Sequence, residues 1–331
     1  MKKCCFIVLY FGKLPSYIEI FLKSCSYNSD YDWLIITDDR SNYHFPDNVF
    51  VKYFTFEEIK EKVQSKFDFE ISLEEPYKLC DYKPAYGYIF EEFIKDKYKF
   101  WGHCDLDIIC GDLNDFITES IIEEYDRIFE LGHMILYKNT YENNRIFMKE
   151  YNGKLLYKIA FQNPRIYVFD EFFFEKENIR TLFIKDKKNI FSEDYSFNIK
   201  SSKTKFVRTR FDYKRQEFID EKFVQALYVF DNGKIFRYYV KDEELIKEEY
   251  MYMHFQDRKM TLDSRILEND IFKILPNRFE KLEVDSITIN NFKKIKKKKI
   301  CFYVLEKKVS NKMRKIKKIL KGEIDVRKII K

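Results

Sequence analysis

The first 54 residues alternate between short apolar runs and an amphipathic stretch. "CCFIVLYFG" (4–12), "DWLIITDD" (32–39) and "NVFVKYF" (48–54) are rich in β-branched and aromatic side chains, as strands buried on both faces are. Between the first two, "SYIEIFLKSCSYN" (16–28) sets Ile18, Phe21, Leu22 and Cys25 at helical spacing. Thr55 with Glu58 three residues on is a capping-box start for a helix over 55–68. A further helix is expected over 77–94, with Pro84 near its first turn. A strand over 98–110, "YKFWGHCDLDIIC", and a helix over 113–125 follow. Strand and helix alternating at short spacing predict an α/β fold with a mostly parallel sheet covered on both faces. Ligands in such sheets sit beyond the carboxyl ends of the strands.

The middle of the chain is less regular. "GHMILYKN" (132–139) and "RIYVFDEFFF" (165–174) read as strands, the second carrying Asp170 and Glu171. An antiparallel element is expected over 203–240 with a turn at Asp231–Asn232–Gly233. "YMYMHFQDRKM" (250–260) closes the body. From residue 290 the composition shifts, and Met313, Ile316 and Leu320 share one helical face among lysines. We therefore expect one domain over 1–289 and a basic, helical tail over 290–331.

Charge sharpens that division. Residues 290–331 hold 15 Lys and 2 Arg against Glu306, Glu323 and Asp325, a net of +14, which leaves −8 for residues 1–289 within the total of +6. Such a tail suits an anionic membrane surface. Nucleic acid is disfavoured, because lysine dominates where base reading favours arginine and no standard nucleic-acid module is present. Apolar residues make up 45% of the 331, enough for a sizeable core. The seven cysteines (4, 5, 25, 80, 104, 110 and 301) fit no zinc module and mostly lie in apolar runs, which favours a reducing compartment. No run reaches the roughly 20 apolar residues of a membrane span.

Three carboxylates fall in or beside the apolar segment "WGHCDLDIICGDL": Asp105, Asp107 and Asp112. Unpaired charge there is costly, and in an extended strand residues two apart point the same way. Asp105 and Asp107 then address one ligand, for which a divalent cation with a diphosphate is the natural neutraliser. Solvated carboxylates at a strand end are the bland alternative, and Asp112 also reads as a helix cap. His254, with Arg258 and Lys259 after it, adds an imidazole and two cations suited to phosphate. His103 and His133 read as core residues, and His44 falls in a loop. Asp170 and Glu171 are either ion-paired or face a cleft.

The block "KLCDYKPAYGYIFEEFIKDKYKFWGHCDLDIICGDL" resembles bacterial glycosyltransferases of the GT-A fold that serve capsule and O-antigen synthesis. The D-x-D-x-x-x-x-D spacing is similar to that of the glycogenin-like retaining group. The resemblance covers most of residues 1–290 and is strongest at 77–113 and 250–260. It implies a transferase moving a hexose from a UDP-sugar to a saccharide or lipid-linked acceptor, retaining rather than inverting. It implies Mn2+ or Mg2+ held by Asp105, Asp107 and His254, with Asp105 also near the ribose. On the same basis Tyr10, Phe11, Gly12, Asp38, Asp39, Lys83, Arg258 and Lys259 attend the nucleotide, and Asp170 or Glu171 faces the acceptor. The glycine and proline–tryptophan of that group's histidine motif are missing here, so Arg258 competes with Lys259 for the diphosphate. A cytoplasmic protein on the inner face of the membrane is the implied location. Two rivals stay open: a nucleotidyltransferase using a nucleoside triphosphate, and a non-enzymatic protein held to membrane or nucleic acid by its tail. The first strand lacks the glycine-rich, lysine-containing loop that triphosphate cradling commonly uses.

Overall fold

In a computed structural model of the chain, residues 1–172, 176–200, 205–215, 217–256 and 258–296 are described, together with 309, 312 and 313. The first elements follow the apolar pattern: β1 (Lys2–Tyr10), α1 (Ile18–Ser26), β2 (Tyr31–Thr37), β3 (Val49–Tyr53) and α2 (Phe56–Gln64). The capping box of α2 is complete, with Thr55 and Glu58 each holding the other's backbone N–H. Next come β4 (Tyr98–Cys104), β5 (Ile108–Cys110), β6 (Arg127–Ile128), β7 (Met134–Lys138), a small hairpin of β8 (Glu150–Tyr151) and β9 (Lys154–Leu155), and β10 (Ile190–Phe191).

The central sheet has the order β10-β6-β7-β4-β1-β2-β3. Strand β1 runs parallel to β2 and β4, β2 to β3 and β10 to β6, while β7 is antiparallel to β4 and β6. The expected α/β architecture with a mostly parallel sheet is what forms. Alternation along β1 explains its continuous apolar run. Cys4, Phe6 and Val8 enter one core cluster, and Cys5 and Ile7 enter the one on the opposite face.

The later strands are β11 (Ser196–Asn198), β12 (Thr209–Asp212), β13 (Glu217–Asp220), β14 (Ala226–Asp231), β15 (Lys234–Lys241), β16 (Glu244–Tyr250), β17 (Tyr252–His254), β18 (Ile271–Leu275) and β19 (Arg278–Lys281). They form a three-stranded sheet β11-β17-β5, a hairpin β12-β13 and a five-stranded antiparallel sheet β16-β15-β14-β18-β19. The expected turn between β14 and β15 is present, with Asn232 and Gly233 both at positive φ (46° and 85°) as a tight hairpin of this kind requires.

Four expectations are corrected. Residues 98–110 are not one strand: β4 and β5 belong to different sheets, and the chain switches between them at 105–107. Residues 77–94 are not one helix but a 3-10 segment, Pro76–Ala85, followed by the short helices α3 (Tyr86–Ile89) and α4 (Glu91–Ile94). Pro84 supplies no N–H and biases Lys83 away from the α conformation. The helix expected over 113–125 is a 3-10 turn, Leu113–Asp115, and then α5 (Glu119–Glu124). The described part of 165–174 is no strand, because the Asp81 carboxylate accepts from the N–H groups of Tyr167 (2.8 Å) and Phe169 (2.9 Å), where a neighbouring strand would pair.

The tail begins with a docked helix. Later helices are α6 (Leu156–Gln162), α7 (Ile179–Lys185) and α8 (Ile289–Ile295), and Phe292 of α8 packs with Leu227, Val229 and Phe236 of the five-stranded sheet. Most of the lysine-rich segment, including Ile316 and Leu320 of the expected helical face, lies outside the described residues. Among the described residues no helix is long and apolar enough to cross a membrane.

Candidate functional site

The sheet switch builds the site. Strand β4 ends at Cys104, and the Asp105 N–H donates to the His133 carbonyl (3.1 Å). Three residues on, β5 pairs antiparallel with β17 in a register that sets Ile108 opposite His254. The Phe255 N–H donates to the Asp107 carbonyl (2.8 Å), closing the link between the two segments. One ligand atom each from Asp105, Asp107 and His254 then lies within 4.8 Å of the others. His254 Nε2 is 3.1 Å from Asp107 Oδ1 and 3.9 Å from Asp105 Oδ2. The two carboxylates therefore converge through the turn of a sheet-switching link, not through the pleat of a strand.

A second layer aims the imidazole. His254 Nδ1 donates to Asn198 Oδ1 (3.0 Å), which also accepts from Gln256 Nε2 (2.9 Å). With Nδ1 committed, Nε2 faces the carboxylates. Burial works against charge on His254, but Asp107 and then Asp105 outweigh it, and its pKa stands above the ordinary 6.5. Two carboxylates and one aimed imidazole form an oxygen-and-nitrogen donor set that suits a divalent ion such as Mn2+ or Mg2+ and leaves room for water or substrate oxygens. The residues present fit such an ion.

These three residues line a cavity of about 760 Å3 that also takes in Tyr10, Lys83, Asp170, Glu171, Arg258 and Lys259. Lys83 links its acidic groups: Nζ donates to Asp105 Oδ1 (3.0 Å) and to the Gly132 carbonyl (2.9 Å), and lies 3.7 Å from Asp170. Burial opposes the Lys83 charge, yet Asp105 and Asp170 hold its pKa well above the usual lysine value. Asp170 is only 4% exposed. Burial, eased by Lys83 and reinforced by Glu171, pushes its pKa up to about 8. Its nearby cation is Lys83. Glu171 accepts from the Gly132 N–H (2.9 Å), and a Cβ on Gly132 would lie 2.8 Å from that carboxylate, so a glycine suits the approach. Arg258 is buried, donates to the Pro276 carbonyl (3.2 Å) and stands over the Phe206 ring, while Lys259 is exposed.

Other expected site residues are placed differently. Asp38 accepts from the Gly12 N–H (2.7 Å), and Asp39 accepts from the N–H of Leu14 and the hydroxyls of Ser41 and Tyr43. Those bonds hold the Asp39 pKa well below the carboxylate range and pin the loop after β1. Neither carboxylate lines the main cavity, and Phe11 packs edge-on against Phe56. Asp112 caps the turn at Leu113–Asp115 through the Asn114 N–H (3.0 Å), as the capping alternative had it. His103 and His133 are buried as expected, but both line the cavity, and the His133 ring lies 4.5 Å from that of His254. Sequence reasoning missed Asn198 and Gln256. An amide inside the apolar run "YSFNI" was the available signal for the first, whereas nothing in the sequence marked the second.

Residues 6–283 match a family described as a family of unknown function, DUF6625. The chain belongs to that family. No curated protein matches the chain. Among solved structures, the glycosyltransferase GlyE of Streptococcus pneumoniae TIGR4 aligns over 60% of this chain and 48% of its own, at 12% identity and a TM-score of 0.28. Its apo form aligns at 13% identity over 46% of its length, with a TM-score of 0.29. Mouse xyloside xylosyltransferase 1 aligns over 60% of this chain and 88% of its own, at 5% identity and a TM-score of 0.33. The aligned part thus spans less than half of GlyE.

Proposed function

We propose that this chain is a metal-dependent glycosyltransferase of the GT-A type, moving a hexose from a UDP-sugar to a saccharide acceptor, with retention at the anomeric carbon. The observation that carries the reading is the convergence of Asp105, Asp107 and His254 within 4.8 Å on the wall of a cavity that also holds Arg258 and Lys259. A divalent cation held by those three side chains would take up diphosphate charge as the sugar leaves. Arg258 and Lys259 supply fixed positive charge to the same diphosphate. Lys83 holds Asp105 in place and offers the sugar side of the cavity a cation. Asp170, buried beside Lys83 on the cavity wall, is placed to hydrogen-bond a sugar hydroxyl, and retention is what the resemblance to the glycogenin-like group implies. The resemblance to capsule and O-antigen enzymes makes a lipid-linked saccharide the natural acceptor, reached by a basic tail lying on an anionic leaflet.

The test is UDP release from a panel of UDP-hexoses in Mn2+, with UTP in a parallel arm. We expect release from a UDP-hexose that stops with chelation and falls at least 100-fold in Asp107→Asn. Turnover of UTP alone, or release indifferent to both treatments, contradicts the reading. NMR of the product anomer tests retention: a β product from an α donor overturns it.

A further inference from the structure

A second cavity of about 410 Å3 abuts the first and shares three wall residues with it: His133, Glu171 and Gln256. Its outer wall is the β12-β13 hairpin. Phe218 of β13 pairs across that hairpin with Phe211, with ring centroids 5.0 Å apart. Phe211 is buried, whereas Phe218 stays 56% exposed while lining the cavity. Lys200 and Asp220, joined as an ion pair, lie on the same wall. The inner wall includes Asn198, which orients His254, so the cavity reaches to within one side chain of the proposed metal site.

This combination selects a ligand class. A pyranose presents an apolar C–H face and a rim of hydroxyls that both donate and accept. An exposed aromatic ring covers the face, and a neighbouring cation and carboxylate satisfy the rim. The volume falls within the usual small-molecule range of about 300–1,000 Å3 and accommodates a mono- or disaccharide. A nucleotide or phosphate is less well served here than in the main cavity, because Lys200 is paired with Asp220 and Glu171 adds a carboxylate, whereas the main cavity has Arg258 and Lys259.

We propose that this second cavity is the acceptor-saccharide subsite, in which Phe218 stacks on the sugar and Lys200 and Asp220 bind its hydroxyls. The acceptor role rests on the glycosyltransferase reading above. The shared residues His133, Glu171 and Gln256 then form the passage through which the acceptor hydroxyl meets the donor.

Saturation-transfer NMR on the full chain tests the site, with the methyl glycosides of glucose, galactose and N-acetylglucosamine as probes. At least one glycoside should show transfer, and that signal should fall at least fivefold in Phe218→Ala and in Asp220→Asn. The melting temperature should be unchanged, and the Mn2+-dependent affinity for UDP should stay within twofold of the unsubstituted chain. Transfer unchanged in both variants, or none to any probe, overturns the proposal. The two readings fail separately. Glycoside binding that needs Phe218 in a chain without metal-dependent UDP binding supports the saccharide site and sinks the transferase reading. UDP binding with Phe218-independent glycoside binding does the opposite.

Discussion

Asn198 touches no part of the main cavity's acidic cluster except through His254, yet the cluster depends on it. Its Oδ1 fixes the imidazole by accepting from Nδ1, leaving Nε2 for the carboxylates. Without metal, the His254–Asp107 pair is favoured by the proton on His254, whose pKa lies above 6.5. The stability it contributes is fully present below pH 6.5 and is lost as pH rises through the folded value. Metal affinity runs the other way, since an ion needs Nε2 unprotonated. In calorimetric titrations, Mn2+ should bind more tightly at pH 8 than at pH 6. Asn198→Ala should weaken it by about 10- to 100-fold at pH 8. Affinity independent of pH and of Asn198 would contradict this account of the ligand. The carboxylates were legible in the sequence because charge in an apolar run has few explanations. Asn198 was marked only as an amide in an apolar run, a weaker signal because burying a neutral amide costs far less than burying a charge.

The same contrast holds for the elements. Strands β1 to β3 and helices α1 and α2 were legible because alternation and capping are local signals. The segment bearing Asp170 was misread as a strand because its backbone is held by one distant side chain. Asp81 is fully buried, takes the Tyr167 and Phe169 N–H groups, and pairs with buried Lys78 (2.7 Å). Lys78 in turn donates to the carbonyls of Ala160 and Arg165. Breaking a buried pair on one side strands the other charge, at a cost of about 3–5 kcal/mol. Lys78→Met should therefore lose about that much stability in urea titrations. A loss below about 1 kcal/mol would show that the Asp170 segment is held by something else.

Across the molecule, the two sheets meet where the acidic link crosses between them, and the five-stranded sheet carries α8 and the start of the basic tail. Lysines near an anionic leaflet contribute about 1 kcal/mol each, so the tail should govern surface binding. Removing residues 297–331 should abolish sedimentation with phosphatidylserine vesicles. Equal sedimentation of the truncated chain would refute a membrane role for the tail. The central claim is that the carboxylates at the sheet switch hold a cation that joins the protein to a sugar nucleotide. Calorimetry of UDP binding, with Mn2+ and with a chelator, measures that directly. The account predicts binding only with Mn2+, lost in Asp107→Asn; UDP affinity unchanged by chelation and by that substitution would contradict it.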